Sequence, residues 1–152
     1  MFDKNTVLTS VAIIVRENKG KQEWLLIKKS SDDDWEFPRM LVRKTESSVR
    51  ATIRMAGEQF GMTGQVIEEV GRSGGVTTLN GKTFSQRQLY YIMYVRDQSG
   101  EVMGFAEYEF LEFPKASRRL TQKRERTMLK NAREEFRKWK AEKKDQEEEL
   151  LN

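Results

Sequence analysis

The stretch WEFPRMLVRKTESSVRATIRMAGEQFGM, Trp35 to Met62, decides how the rest of the chain is read. In its second half Val49, Ile53, Ala56 and Phe60 recur at helical spacing, which predicts one apolar stripe facing a core. Ser47 or Thr45 offers a side-chain oxygen to cap the start, and Gly61 offers a left-handed end, so a helix is expected over residues 47–60. On that helix Met55, Glu58 and Gln59 stand at i, i+3 and i+4 and share a face. Ahead of it, Pro38 has no N–H to give a central ladder, so WEFP reads as chain leaving a sheet.

Working outward, VLTSVAIIV (7–15) is dense in β-branched residues and EWLLIKK (23–29) is a second short apolar run, with ENKGKQ between them as a hairpin loop. Beyond the helix, GQVIEEVG (64–71) reads as a strand. GGVTTLNGKTFSQRQLYYIMYVRD (74–97) reads as a hairpin turning at Asn80-Gly81, because both positions tolerate the positive φ of a tight turn. Leu89–Val95 is apolar on both faces and is expected to be a central strand. A polar loop, DQSGEVMGFAE (97–107), carrying Glu107, leads to a last strand around YEFLEF (108–113) and then PKASRRL (114–120). A long helix is expected from about Thr121, with Met128, Leu129, Ala132, Phe136 and Trp139 packed on the sheet. The elements make an α/β chain with a mixed sheet, one internal helix and a long C-terminal helix. Residues 1–139 are expected to form one domain, and 140–152, with little apolar content, a charged helical extension or tail.

The 152 residues include no Cys and no His, which removes disulfides, thiolate nucleophiles, zinc sites of the usual kind and imidazole acid/base chemistry. The net charge of +4 is unevenly placed. Residues 1–117 hold sixteen cations and sixteen anions, residues 118–144 twelve against four, and residues 145–152 none against four. The basic character therefore belongs to one C-terminal segment, where an anionic partner is to be sought. The apolar run near the N-terminus is shorter than a membrane span and lacks the flanks of a secretory signal, so a cytoplasmic location is expected.

The Trp35–Met62 run resembles the Nudix box: Gly, five residues, Glu, seven residues, then Arg-Glu-apolar-any-Glu-Glu-any-Gly-apolar. With Glu46 as its first Glu, Met40 stands at the Gly, and Arg54, Met55, Ala56, Gly57, Glu58, Gln59, Phe60, Gly61 and Met62 complete the spacing. The WEFP entry is similar to the family's, and the stretch from Glu109 to Phe136 looks like the end of the dinucleoside-tetraphosphate hydrolase branch. The resemblance covers roughly residues 6–139 and implies an α/β/α sandwich.

In that family the Glu of the Arg-Glu pair and the two later Glu side chains hold Mg²⁺ against a pyrophosphate. Here the corresponding face is Met55, Glu58 and Gln59. Mg²⁺ takes oxygen ligands, and a thioether and a neutral amide replace two of three carboxylates, so the mutual field that attracts the cation is lost. Met55 is expected either in the core or filling the emptied cleft. By resemblance, Glu46, Arg54 and Gly61 are the motif's scaffold, while Arg39 and Met40 stand in the ligand loop, where bulky side chains replace glycine.

Three functional readings follow. The first in preference is a Nudix-like domain that binds a nucleotide, another phosphate-containing ligand or a macromolecular partner, with weak or no hydrolysis and no cofactor. The second is an active pyrophosphohydrolase of dinucleoside polyphosphates and similar compounds, with Glu58 catalytic and Glu58, Gln59 and Glu107 around Mg²⁺ or Mn²⁺. The third is an RNA- or ribonucleoprotein-associated module whose contacts are Lys123, Arg126, Lys130, Arg133 and Arg137. The plainer account of that helix is a solvated face on which Glu125, Glu134 and Glu135 pair locally with the cations.

Overall fold

A computed structural model describes residues 6–98 and 107–151. Most of the loop expected over 97–107, and the first five residues, lie outside the described part. The elements in order are β1 (Thr6–Asn18), β2 (Lys21–Lys28), β3 (Arg39–Leu41), α1 (Ser48–Phe60), β4 (Met62–Leu79), β5 (Lys82–Gln98), β6 (Glu107–Leu111), α2 (Phe113–Arg119) and α3 (Lys123–Leu151). The described strands form one mixed sheet in the order β4-β5-β1-β2-β6, with β3 paired to β1. β1 runs parallel to β5 and antiparallel to β2 and β3.

Alternation along the central strands builds two cores. Val11, Ile13, Val15, Trp24, Leu26, Tyr90 and Ile92 point to the face covered by α2 and α3, where Ala116, Met128, Leu129, Ala132 and Phe136 meet them. Ala12, Ile14, Leu25, Ile27, Met93 and Val95 point to the face covered by α1 through Met55, Ala56 and Phe60. The result is the expected α/β/α sandwich, with a mixed sheet between helical layers.

Both tight hairpins turn on positive-φ pairs, Lys19-Gly20 and the expected Asn80-Gly81. Leu89–Val95 lies in β5, between β4 and β1, as its apolarity on both faces requires. Four expectations need correction. The strand expected over 64–71 and the first arm of the hairpin are one 18-residue strand, β4, which absorbs register shifts at Thr63/Gly64, Val66/Glu68 and Glu69/Gly71 instead of breaking. Pro38 does leave one ladder, but the chain re-enters at once, because β3 pairs Arg39, Met40 and Leu41 with Val11, Ser10 and Thr9. Val49 and Ile53 are 38% and 46% exposed; α1 is turned so that Ala51, Thr52, Met55, Ala56 and Phe60 are its buried residues. Glu107 is the first residue of β6, opposite Lys28, and not part of the preceding loop.

Candidate functional site

The box loop and helix are held together by polar contacts the sequence supplies locally. Ser47 caps α1 by accepting from the Arg50 N–H at 3.1 Å, and Gly61 closes it in the left-handed region at φ 59°, ψ 31°. Ser10 Oγ donates to the Ser48 carbonyl at 2.7 Å and fixes the helix start on β1. Glu46 and Arg54 form a two-pronged ion pair, Nε to Oε2 at 2.7 Å and Nη2 to Oε1 at 2.9 Å. The Arg54 hydrogen bonds outweigh partial burial, and with the Arg43 N–H they hold the Glu46 carboxyl down at about 2. The same pair raises the Arg54 guanidinium above its ordinary value.

The shared face of Met55, Glu58 and Gln59 separates into three environments. Met55 is 0% exposed and sits among Ile14, Leu25, Ile27 and Phe60, so it is core. Met40 packs partly buried on the same cluster, which answers how bulky residues fit the loop. The Glu58 side chain is 55% exposed and lies 3.5 Å from Arg54 Nη1. Gln59 turns its Oε1 inward, buried and without a hydrogen-bond partner. Among the described residues no three acidic side chains stand close enough together to hold a metal ion.

These residues do not fit the Mg²⁺ of the Nudix reaction. A buried thioether, one amide oxygen and one carboxylate already facing a guanidinium offer neither the charge nor the oxygen count the cation requires. Glu107 is exposed on β6 and lines a separate shallow depression with Trp35, Tyr108 and Glu109.

A larger cavity, about 380 Å³, opens on the other side of the sheet from α1, between the box entry and the start of α3. Arg39 forms its floor. It donates from Nη2 to Glu125 Oε1 and from Nε to the Phe37 carbonyl at 3.3 Å, with Glu36 at 3.7 Å. Burial opposes the Arg39 charge, but the Glu125 carboxylate outweighs it and holds the guanidinium above its ordinary value. Glu125 is 5% exposed, and its Oε2 has no hydrogen-bond partner. Beside it Tyr90 Oη and Ser73 Oγ both donate to Gln88 Oε1, at 3.1 and 3.0 Å. Burial, then the neighbouring Glu125 carboxylate, pushes the Tyr90 phenol up. Lys29, Trp35, Gln122 and Arg124 share the wall with two further acids, Asp33 and Asp34.

Of this cluster, sequence reasoning placed only Arg39 in a ligand loop; Glu125, Tyr90 and Gln88 were missed. One signal was available: Glu125 lies three, four and seven residues before Met128, Leu129 and Ala132, a carboxylate on the buried stripe of a helix.

The expected anion contacts on α3 are divided between two roles. Lys123, Lys130 and Arg137 are exposed and make no ion pair among the described residues. Arg126 donates to the Leu120 carbonyl at 2.7 Å and so ties α3 to the end of α2, and Arg133 lies 3.7 Å over the Phe113 ring. No described helix is long and apolar enough to cross a membrane.

No protein-family model matches the sequence, and no curated protein does. Solved structures do match the fold. A Caenorhabditis elegans Ap4A hydrolase in a binary complex superposes with a TM-score of 0.66 at 18% identity, over 82% of this chain and 93% of its own. The Nudix domain of Shewanella oneidensis NrtR, complexed with ADP ribose, gives 0.67 at 15% identity over 88% and 90%. A Nudix-family hydrolase from Clostridium perfringens gives 0.67 at 14% identity over 86% and 97%. With the sheet order, the two helical layers and the capped box helix in place, the fold of this chain is the Nudix fold.

Proposed function

We propose that this chain is a Nudix-fold binding module that holds a nucleotide-linked compound in the cavity floored by Arg39 and Glu125 and does not hydrolyse it through the box. The carrying observation is the cavity itself: about 380 Å³, with a buried carboxylate whose Oε2 lacks a donor, and a wall on which the amides of Gln88 and Gln122 and the cations Lys29 and Arg124 stand beside the acids Asp33, Asp34 and Glu36. Glu125 Oε2 accepts from an amino group of the ligand, Gln88 and Gln122 offer amides to a base edge, and Lys29 and Arg124 face phosphate oxygens. Two structural neighbours agree in ligand class, one an Ap4A hydrolase and the other a domain complexed with ADP ribose. The box supports silence, since Met55 is enclosed and Glu58 is its single charged oxygen ligand.

Calorimetry with ADP-ribose and diadenosine tetraphosphate, beside product analysis in Mg²⁺ and in Mn²⁺, tests this reading. Binding that needs no metal, falls about tenfold in Arg124→Ala and gives no product supports it. Metal-dependent turnover that disappears in Glu58→Ala establishes instead the active hydrolase with Glu58, Gln59 and Glu107 at the metal. Absence of binding by either compound removes the ligand class.

One observation favours a second reading, an RNA contact along α3. Lys123, Arg126, Lys130, Arg133, Arg137, Lys140 and Lys144 follow each other at alternating steps of three and four and so form one stripe, about 30 Å long at 1.5 Å per residue. RNA retention that weakens steeply with salt and falls when Lys123, Lys130 and Arg137 are changed to Gln supports it. Retention that is absent or independent of salt removes it.

A further inference from the structure

The basic stripe on α3 ends at a second cavity, on the same side of the sheet but near the far ends of β1 and β5. It measures about 440 Å³, and its wall includes Tyr94, Arg96, Trp139, Lys140, Lys143 and Lys144. Its floor is aromatic. Trp139 stacks on Phe136 at 5.8 Å between centroids and 22° between planes, and Tyr94 lies 5.3 Å from Trp139 and 5.6 Å from Phe136. Phe136 is fully buried, whereas Tyr94 and Trp139 are only partly covered, so the cluster is anchored on one side and accessible on the other.

Charge surrounds this floor on one side of the balance. Arg96, Lys140, Lys143 and Lys144 face two acids, Glu17 and Glu147. Lys140 is ion-paired with Glu17, and Lys143 Nζ stands 4.3 Å over the Trp139 ring. Arg96 and Lys144 are exposed and make no ion pair among the described residues. An aromatic platform with cations at its rim is matched by a ligand that has a flat π-face and a negative backbone at once.

We propose that this groove is a stacking site for an unpaired base of single-stranded RNA. The base stacks on Trp139, with Tyr94, inclined 48° to that ring, against its edge; its flanking phosphates meet Arg96 and Lys144, and Lys143 moves from the ring face to the phosphate as the base enters. The inference rests on the RNA reading of the α3 stripe and deepens it: the stripe supplies contacts to the backbone, and the groove adds selection for single strands over duplex. It lies apart from the cavity at Arg39 and Glu125, with which it shares no lining residue.

The test measures binding of the full chain to three probes with matched phosphate number: a single-stranded oligouridylate, the same oligomer with abasic positions, and an RNA duplex. The expected result is tightest binding to the base-bearing single strand, a loss on the order of tenfold with the abasic oligomer, and quenching of tryptophan fluorescence by the former alone. Trp139→Leu should abolish the quenching and the preference while keeping the circular dichroism of the native chain. As Trp139 is packed against Phe136, a second variant that leaves the floor intact is included: Arg96→Gln with Lys144→Gln should lower the salt slope by about 1.4. Salt-dependent binding that is equal for the base-bearing and abasic strands, and unchanged in Trp139→Leu, overturns the stacking site while leaving the stripe in place. If no RNA binds at all, stripe and site fall together.

Discussion

Glu46 and Arg54 face each other with two parallel hydrogen bonds, at 2.7 and 2.9 Å, joining the loop before α1 to the middle of that helix. The pair ties the loop to the helix whatever the neighbouring face does, because both hydrogen bonds are made between these two side chains. The Glu46 carboxyl is lowered from 4.5 to about 2. A folded value below the unfolded one gives stability that is fully present above about pH 4.5 and is lost as pH falls toward 2. Glu46→Gln should therefore unfold at lower urea than the native chain at pH 7, and the gap should shrink between pH 4.5 and 2. A gap that is constant across that range would show that the ion pair is not the linked group.

Met55 makes a prediction that separates loss of chemistry from loss of space. Replacing it with Glu restores one of the two missing box glutamates, yet the position is fully buried, in the cluster that holds Ile14, Leu25, Ile27 and Phe60. An uncompensated carboxylate there costs on the order of 3–5 kcal/mol, whereas Met55→Leu, which conserves volume, costs about 1 kcal/mol or less. Chemical denaturation distinguishes them. Calorimetry of the double variant Met55→Glu, Gln59→Glu should find no tight Mg²⁺ site; native stability together with metal binding would mean that the helix can rotate this face outward.

Two glycines of β4 should differ in tolerance because of what lies beside them. A Cβ at Gly64 would stand 2.9 Å from the Tyr94 carbonyl oxygen, which is backbone and cannot yield without disturbing β5. At Gly71 the obstruction is the end of the Met128 side chain, which has three flexible bonds and can swing aside. Gly64→Ala is expected to lose about 2 kcal/mol and Gly71→Ala less than that. The order of the two melting temperatures decides the matter, and the reverse order would show that the α3 docking through Met128 is the more rigid contact.

What was legible in the sequence was local. Asn80-Gly81 announces its own turn, Leu89–Val95 its own burial, and the Glu46-to-Gly61 register its own loop and helix, because each signal lies within a few residues. The side of α1 that meets the sheet was misread because two adjacent stripes satisfy the helical period. Val49 and Ile53 are apolar but lie at the edge, and the centre is taken by Thr52 and Met55. β3 escaped notice because three residues after a proline carry no periodicity. The polar cavity was hidden for another reason: Arg39 and Glu125 are 86 positions apart, and only the folded sheet brings them together.

That pair gives the last prediction. Arg39 and Glu125 are both largely shielded from solvent, with side-chain exposures of 14% and 6%. Arg39→Ala leaves the Glu125 carboxylate buried without its partner and should cost about 3–5 kcal/mol. Arg39→Met together with Glu125→Leu removes both charges and fills the space, so it should lose much less, and the cycle should show strong non-additivity. The same double variant separates folding from function: it keeps the fold but takes away the carboxylate oxygen that waits for a donor, so binding of ADP-ribose should fall with stability preserved. Undiminished binding in that variant would move the ligand out of this cavity.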